Sequence, residues 1–219
     1  MPNLAEYLAD PCGTLSLPYW KAGIFTPPPG LRVLHDRDFD PALLAEWEDC
    51  RYFRLLHDLK EVGREAPAGI LLQTAGPEQT GEIVRIINAS YADIRVDAAQ
   101  IEGYQRTAVY DPALWVMAAD ADTGRLMGCG IADYDPEAGE LILEWIQVLP
   151  EYRRRGVGRA IVNRLLGQKQ GIARFATVSG RADDPCRPER LYRSCGFAGN
   201  DLWHVLRPRK IAPTPSHSG

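Results

Sequence analysis

The fold is decided by the stretch Leu141-Ile-Leu-Glu-Trp-Ile-Gln-Val148-Leu-Pro-Glu-Tyr152-Arg-Arg-Arg-Gly156-Val-Gly158-Arg-Ala-Ile-Val162. Its first eight residues are apolar enough for a central strand, and Gly156 opens a helix that runs to about residue 168. Another apolar run follows at residues 172–178. The order strand, helix, strand predicts a parallel crossover.

Upstream of this stretch, the sequence predicts an antiparallel meander. Three apolar runs are separated by short turns, and the two turns between them end in Gly124 and Gly139. Turns of this length that end in glycine favour antiparallel neighbours. The predicted strands are 70–72, 114–119, 125–134, 140–149, 172–178 and 202–206. The predicted helices are 77–91, 156–168 and 188–195, together with a short helix that begins at the capping box of residues 97–100.

The first 67 residues differ in composition and are predicted to be an N-terminal extension. A proline-rich irregular stretch precedes a predicted helix at about residues 40–61, with Asp40 as the N-cap and Pro41 at the first helical position. Two roles stay open for the extension. Its aromatic residues Tyr19, Trp20 and Phe25 suit a lid, whereas an amphipathic helix that carries Trp47 suits a brace or a homodimer contact, and the brace is favoured. The main domain is predicted at 68–207, followed by a flexible tail at 208–219.

Composition and charge give no sign of a nucleic-acid-binding, membrane, secreted or metal-binding protein. The net charge of −4 gives no general reason to expect a nucleic acid or an acidic membrane as a partner. No apolar run approaches the length that crosses a bilayer, and the N-terminus lacks a secretory pattern. Five cysteines at irregular spacing suit reduced thiols, so a cytoplasmic location is expected. No His/Cys cluster has metal-ligand spacing, so no metal is expected.

The turn between the strand and the helix has the chemistry of an anion site. The first turn of a helix carries unpaired N–H groups and a partial positive charge. Gly156 and Gly158 let a bulky anion approach that backbone, so a pyrophosphate is the expected ligand. A P-loop is excluded because it needs Gly-Lys-Ser/Thr, whereas Arg159 and Ala160 follow Gly158. The G-x-G-x-x-G fingerprint of dinucleotide-binding proteins is excluded because its third glycine is missing. The added cationic side chains are those of Arg153, Arg154, Arg155 and Arg159.

These residues carry a resemblance to a known family. The pattern Arg153-x-x-Gly156-x-Gly158 resembles the Q/R-x-x-G-x-G/A motif of the GNAT superfamily of acetyltransferases. Leu191-Tyr192-x-x-x-Gly196-Phe197 resembles a second GNAT signature, at the expected separation. The likeness covers about residues 68–206, and the whole chain resembles a bacterial subgroup with an N-terminal extension. It implies a GNAT fold of the α/β (α+β) type, a mixed and mainly antiparallel twisted sheet flanked by helices.

The resemblance also implies acetyl-CoA as the co-substrate. The backbone around Val148 would pair with the pantetheine arm where two parallel strands splay apart. The N–H groups of residues 154–159, which include Val157, would hold the pyrophosphate. One departure from the family pattern is the pair Pro185 and Pro188, which stands where many members carry Asn and Ala.

Glu144 is the first candidate for the general base that deprotonates the acceptor amine. It is the only acidic residue of the run from Leu141 to Val148, and burial of a carboxylate raises its affinity for protons. Period-2 counting places Glu144 on the face of Ile146 and Val148, with Trp145 and Gln147 on the other. Glu140, nearer the turn, is expected to be solvated. A structural Glu bonded to a nearby Arg or Tyr is the alternative for Glu144.

Tyr192 is the candidate acid for the departing thiolate, a role that follows from its family position. Packing of the last helix on the sheet is the alternative. The Val148 N–H is the expected donor to the thioester oxygen. Core packing is favoured for the aromatic residues Tyr104, Tyr110 and Trp115, although they also suit an acceptor site. Cys129 and Cys195 are expected to be ordinary buried thiols, and His35, His57 and His204 structural or surface residues.

The function expected from the sequence is N-acetylation of a primary amine, on a small molecule or a peptide, by direct attack on acetyl-CoA. One alternative is a protein N-acetyltransferase, for which a long acidic groove beside Glu144 would speak. A closed aromatic pocket would favour a small amine. The alternative from another class is a catalytically idle acyl-CoA-binding or sensory module, which would share the Arg153-to-Gly158 turn.

Overall fold

The computed structural model describes residues 3–14, 16, 29–63, 66–91 and 94–209. The predicted lid residues Tyr19, Trp20 and Phe25 lie outside these ranges, as does the tail from residue 210. The strands are β1 Arg32–His35, β2 Trp47–His57, β3 Ile70–Thr74, β4 Trp115–Asp120, β5 Leu126–Asp135, β6 Glu140–Val148, β7 Phe175–Arg181 and β8 Ala198–Pro208. The α-helices are α1 Leu4–Ala9, α2 Thr80–Ser90, α3 Ala98–Tyr104, α4 Val157–Lys169 and α5 Pro188–Ser194.

The described strands form one sheet in the order β1-β8-β2-β7-β6-β5-β4-β3. Its neighbours are antiparallel except for β6 and β7, which are parallel and are joined through α4. The predicted meander from β4 to β6 and the predicted crossover are therefore confirmed. The mixed, mainly antiparallel sheet flanked by helices is confirmed as well.

Helices cover both faces of the sheet because each face presents apolar side chains. On one face, α4 and α5 pack on the larger core through residues such as Ile161, Leu165 and Tyr192. On the other face, α2 and α3 pack through residues such as Ile86 and Ile101. The two faces meet different helices, so the face on which a β6 side chain lies decides which helices it can contact.

The predicted helix at residues 40–61 is wrong. The structure has a short 3-10 helix at Pro41–Ala45, for which Asp40 is the N-cap as expected, and then the eleven-residue strand β2. The strand lies between β7 and β8 and pairs with both. The segment predicted as the extension therefore adds two strands to the main sheet, β1 and β2, and Trp47 begins β2.

A buried ion pair fixes the inner end of this added strand. Arg54 of β2 bonds to Glu140 of β6 at 3.1 Å, and the Glu140 side chain is fully buried. The hydroxyl groups of Tyr7 and Thr177 also donate to the Glu140 carboxylate. Burial raises the pKa of Glu140, while the Arg54 charge acts in the opposite direction. The expectation that Glu140 is solvated is wrong, because its partners come from segments far away along the chain.

We expect Glu140→Gln to lower the free energy of unfolding by about 3–5 kcal/mol, because it leaves the buried Arg54 charge without its counter-ion. Urea unfolding of the full chain measures this change. The control is Glu137→Gln, an exposed residue in the turn before β6, which we expect to be nearly neutral. Equal stability of the two variants would show that the pair does not hold β2 in the sheet.

Candidate functional site

The parallel strands β6 and β7 separate part-way along their length. Their pairing runs from Glu140 opposite Phe175 to Leu143 opposite Val178. Beyond that point β6 pairs with β5 as far as Val148, and β7 pairs with β2 as far as Arg181. The two strands thus splay apart at their carboxyl ends, as the family resemblance implies. A gap of this kind offers backbone N–H and C=O groups to an extended ligand.

Val148 directs its backbone groups into this gap. The Leu149 N–H bonds to the Met127 carbonyl of β5 at 2.9 Å, so Leu149 faces β5. Backbone groups of successive residues in a strand alternate in direction, which turns the N–H and C=O of Val148 away from β5. The Val148 carbonyl accepts a bond of 3.2 Å from Arg153 Nε.

The turn after β6 delivers the amino end of α4 beside the gap. Arg154 and Gly156 both have left-handed backbone, with φ of 64° and 85°. No side chain caps α4, and its first internal bond runs from Ala160 N to Gly156 O at 3.0 Å. The N–H groups of residues 157–159 therefore lack acceptors within the helix, and they lie at its positive end.

Gly158 is a close-approach position in the first turn of α4. A Cβ placed there would lie 3.0 Å from a Leu191 methyl carbon and 3.6 Å from one of Val148. The glycine thus lines a narrow space between the end of β6 and α5. A larger side chain would fill that space.

The four arginines around the turn differ in their surroundings. Arg153 is half-buried and also donates to the carbonyl of Ser90, the last residue of α2, at 3.1 Å, and to Cys186 Sγ at 3.3 Å. It ties the end of β6 to α2 and to the loop before α5. Exposed side chains belong to Arg154, Arg155 and Arg159, and the Arg155 guanidinium lies over the Tyr152 ring.

The predicted face of Glu144 is wrong because β6 carries a bulge at this residue. Ile131 of β5 faces Trp145, whereas the next residue, Ala132, faces Leu143, so Glu144 is the extra residue. A bulge places two successive residues on the same side of a strand. Glu144 and Trp145 accordingly share the α2/α3 face, while Ile146 and Val148 lie against α4.

Glu144 lines a narrow cavity on that face, which is too tight to hold a water molecule. The cavity combines two carboxyl groups with two aromatic rings and one aliphatic side chain. Its lining residues are Tyr104, Ile131, Asp133, Glu144 and Trp145. Asp133 is only 2% exposed and was missed by the sequence reasoning, because its partner in the cavity lies on another strand. Its position in an otherwise apolar β5 run was the available signal.

Tyr192 lies on the α4/α5 side of the sheet and is buried between the Phe53 and Phe197 rings, with centroid distances of 6.1 and 5.9 Å. Burial raises the pKa of Tyr192, with a smaller contribution from Tyr91. The Tyr91 hydroxyl accepts a bond of 2.9 Å from Gln147 Nε2 on β6. Tyr91 follows the end of α2 and is a second residue near the gap that the sequence reasoning missed.

The other candidates are structural. Trp115 is buried in the core and Tyr110 packs edge-on against it, as favoured from the sequence. Cys129 is a buried thiol as predicted, and burial raises its pKa to about 12. Cys195 is buried as well, and its pKa is also raised. His35, His57 and His204 are buried. Two of them bond to carboxylates: His35 to Asp201, and His204 to Asp36 and Asp49.

A larger cavity, of about 810 Å³, lies away from this chemistry. It is lined in part by His57, Asn163 and Gly196. His57 pairs with Ala176 near the start of β7, which is the end of the sheet opposite the gap. Size alone therefore does not mark the functional site, because the gap and the uncapped start of α4 lie at the other end of the sheet.

Comparison with known proteins identifies a domain within this chain. Residues 111–198 match the family model of the acetyltransferase (GNAT) domain. This part of the chain is a GNAT acetyltransferase domain. The match begins just before β4 and ends at the start of β8, so it contains the gap, the turn and Tyr192. The family supports acyl transfer in general.

Solved structures share the GNAT fold of this chain. A GCN5-related N-acetyltransferase from Sphaerobacter thermophilus aligns with TM-score 0.66 and 18% identity over 83% of this chain and 62% of that one. A second one, from Kribbella flavida, gives 0.56 and 18% over 83% and 68%. The ribosomal-protein-S18-alanine N-acetyltransferase from Escherichia coli gives 0.51 and 18% over 68% and 99%.

At these identities the likeness shows the fold alone. The chain aligns with less than two thirds of the length of the Sphaerobacter protein.

Among curated proteins, no sequence matches this chain at a significant level. In the described part of the chain, no cluster of three potential metal ligands occurs. The helices in the same ranges include none long and apolar enough to cross a membrane.

Proposed function

We propose that the chain is an acetyl-CoA-dependent N-acetyltransferase that acetylates a primary amine of a small molecule or peptide by direct attack. The observation that carries the proposal is the gap between β6 and β7 beside the uncapped amino end of α4. An extended arm and a pyrophosphate need these two features next to each other. A GNAT domain match over the same residues supports the assignment.

The residues present fit acetyl-CoA. The N–H groups at the start of α4 would receive the pyrophosphate, and Gly158 leaves the close approach that a Cβ would fill. Exposed Arg154, Arg155 and Arg159 would add positive charge around it. Arg153 would mainly hold the end of β6 in place, since its side chain already donates to the carbonyls of Val148 and Ser90. Val148 would present its backbone to the pantetheine arm.

In the proposed reaction, acetyl-CoA supplies an acetyl group activated as a thioester. Glu144 accepts the proton that the acceptor's ammonium gives up, which frees the nitrogen lone pair for attack on the carbonyl carbon. The Val148 N–H donates to the carbonyl oxygen as negative charge develops there. Tyr192 donates a hydrogen bond to the departing sulfur, which leaves as the thiolate of CoA. Solvent takes up the remaining proton of the nitrogen and protonates the thiolate.

Glu144 would act through water and not by direct contact. Four residues separate it from Val148, which is about 13 Å of extended strand. A general base acts within hydrogen-bond reach or through an intervening water. The attacking amine therefore lies between the two residues, with its proton passed along the strand towards the cavity.

Carboxyl and aromatic groups surround Glu144 in the narrow cavity, which supports a small amine or a single side chain as the acceptor more than a long basic peptide. Its aromatic walls, Tyr104 and Trp145, are of the kind that hold an aliphatic ammonium. A protein N-acetyltransferase remains the alternative substrate class, and one neighbour in fold, from Escherichia coli, is described as acting on a ribosomal protein. The proposal includes a cytoplasmic location, since all five cysteines are unpaired thiols. The predicted lid and homodimer contact stay predictions.

We expect Gly158→Trp to weaken the binding of acetyl-CoA by at least about tenfold, because the indole would fill the space between Leu191 and Val148. Titration calorimetry with acetyl-CoA measures the change. Gly167→Trp is the matched control on the same helix, since a Cβ at Gly167 meets nothing within 4 Å. The cofactor assignment fails if both variants bind acetyl-CoA as the wild type does.

A further inference from the structure

The larger cavity, at the end of the sheet opposite the gap, has no part in the proposed reaction. Its volume of about 810 Å³ lies within the range of about 300–1,000 Å³ that is typical of small-molecule sites. Three parts of the chain form its walls: the end of β2 with the loop after it, the middle and end of α4, and the end of α5. The cavity thus has room for a small organic molecule.

His57 contributes a buried hydrogen-bond donor to this cavity. Its side chain is 2% exposed, and the Leu59 N–H donates to its Nδ1 at 2.9 Å. A neutral ring that accepts at Nδ1 carries its hydrogen at Nε2. A Cβ on Gly196, another lining residue, would lie 2.6 Å from Nε2, so this atom is on the side of the ring that meets the Gly196 wall. Within the described ranges, Nε2 has no hydrogen-bond partner.

The His57 ring and its surroundings do not suit an anionic ligand. Burial lowers the pKa of His57, and the nearby Cys195 carbonyl opposes this only in part, without the geometry of a hydrogen bond to Nε2. The ring is therefore neutral at neutral pH. Among the charged lining residues, Lys60 pairs with Asp58 at 3.0 Å, and Glu61 adds a further negative charge. The cavity offers an N–H donor without a free positive charge.

Asn163 of α4 contributes the complementary acceptor. Its Oδ1 atom is buried and has no hydrogen-bond partner in the described part of the chain. Neighbouring polar side chains of the lining are already bonded. Gln170 donates to the carbonyls of Leu59 and Lys60, and Ser194 donates to a carbonyl of its own helix at 2.7 Å. Buried polar atoms are nearly always paired, so a donor and an acceptor without partners in one cavity indicate a ligand that pairs with both.

We propose that the larger cavity is a second binding site, for a neutral small molecule that accepts a hydrogen bond from His57 Nε2 and donates one to Asn163 Oδ1. Primary carboxamides and hydroxyl compounds such as sugars share this chemistry, because each carries an acceptor oxygen and a donor hydrogen. His57 pairs with the start of β7, whereas the gap lies at the carboxyl end of that strand. The ligand therefore binds separately from acetyl-CoA.

The test is a titration of the isotope-labelled full chain with two neutral probes, followed by NMR. Isobutyramide carries a primary carboxamide, and methyl glucoside carries hydroxyl groups. Their controls are N,N-dimethylisobutyramide and the tetra-O-methyl derivative of methyl glucoside, which accept hydrogen bonds but cannot donate them. We expect at least one parent probe to shift the resonances of the His57 Nε2–H and the Asn163 side chain. Its methylated derivative should bind at least about tenfold more weakly.

Variants of α4 test the contact with Asn163. In Asn163→Leu we expect the affinity for the bound probe to fall by at least about tenfold, because the acceptor is lost. Asn163→Asp keeps an acceptor oxygen and should retain binding. Gln168→Leu is the matched control, since it removes an amide of the same helix that does not line the cavity. Resonances of residues far from the cavity show whether each variant keeps its fold.

The inference is overturned if neither parent probe shifts the His57 and Asn163 resonances, or if parent and methylated probes bind equally well. Loss of probe binding in the presence of saturating acetyl-CoA would also contradict a separate site. A response to isobutyramide alone supports a carboxamide ligand, and a response to methyl glucoside alone supports a hydroxyl compound. Because binding is measured without turnover, a chain that binds a probe but releases no thiol would keep this site and lose the proposed function.

Discussion

Replacing Tyr192 with Phe is expected to lower kcat for acetyl transfer by about 10²–10³-fold, because it removes a fixed donor aimed at the departing sulfur. Burial raises the pKa of Tyr192, so the phenol stays protonated throughout the neutral range. A thiol ordinarily has a pKa of about 8.5, below that of a phenol, so complete proton transfer from Tyr192 is unfavourable. The role proposed for Tyr192 is therefore to stabilise the thiolate by a hydrogen bond.

This role predicts a specific kinetic pattern for Tyr192→Phe. The affinity for acetyl-CoA should change by no more than about twofold, since the Phe ring keeps the packing against Phe53 and Phe197. Stopped-flow or steady-state thiol release gives kcat, and calorimetry gives the affinity. Tyr134→Phe, at a ring that packs near Lys169 away from the gap, is the control and should keep full rate. A full rate in Tyr192→Phe would leave this residue a packing role only.

Replacing Glu144 with Gln is expected to lower kcat/KM at neutral pH by about 10²–10⁴-fold, the range for loss of a general base. The acceptor amine, with a pKa of about 10.4 if it resembles lysine, is almost entirely protonated at neutral pH. Without the base, the reaction depends on the small neutral fraction. That fraction rises about tenfold for each pH unit below the amine's pKa, so the rate of the variant should rise with pH.

The deciding measurement is therefore the ratio of wild-type to Glu144→Gln rates across pH. We expect this ratio to shrink as pH rises towards the pKa of the amine. Glu137→Gln, an exposed carboxylate at the other end of β6, is the control and should follow the wild type at every pH. A ratio that stays constant with pH would mean that Glu144 organises the site without accepting the proton.

Much of the fold could be predicted because its signals are local. The meander from β4 to β6 follows from apolar runs and glycine turns, and the capping box at Asp97 marks the start of α3. The helix predicted at 40–61 failed because the hydrogen-bond partners of β2 lie in β7 and β8, more than a hundred residues away. Apolar residues at several spacings in that segment fit either period, and pairing within the sheet decided between them.

The candidate site likewise has local features that the sequence places and other features that depend on pairing between distant strands. The turn with Gly156 and Gly158 could be placed from the sequence, since it lies between a strand and a helix that are contiguous. The face of Glu144 could not, because a bulge changes the alternation and has no sequence signal in this run. Asp133 needed the pairing of β5 with β6 before its place beside Glu144 was visible.

The most direct test of the central claim is amine-dependent acetyl transfer by the full chain. The protein is incubated with acetyl-CoA and a panel of small amines, free thiol is followed with time, and the amines are examined for an added acetyl group by mass spectrometry. The proposed function predicts that at least one amine accelerates thiol release, with one acetylated amine formed per thiol. Tight binding of acetyl-CoA with a release rate that no amine changes would contradict it and would indicate an idle acyl-CoA-binding module.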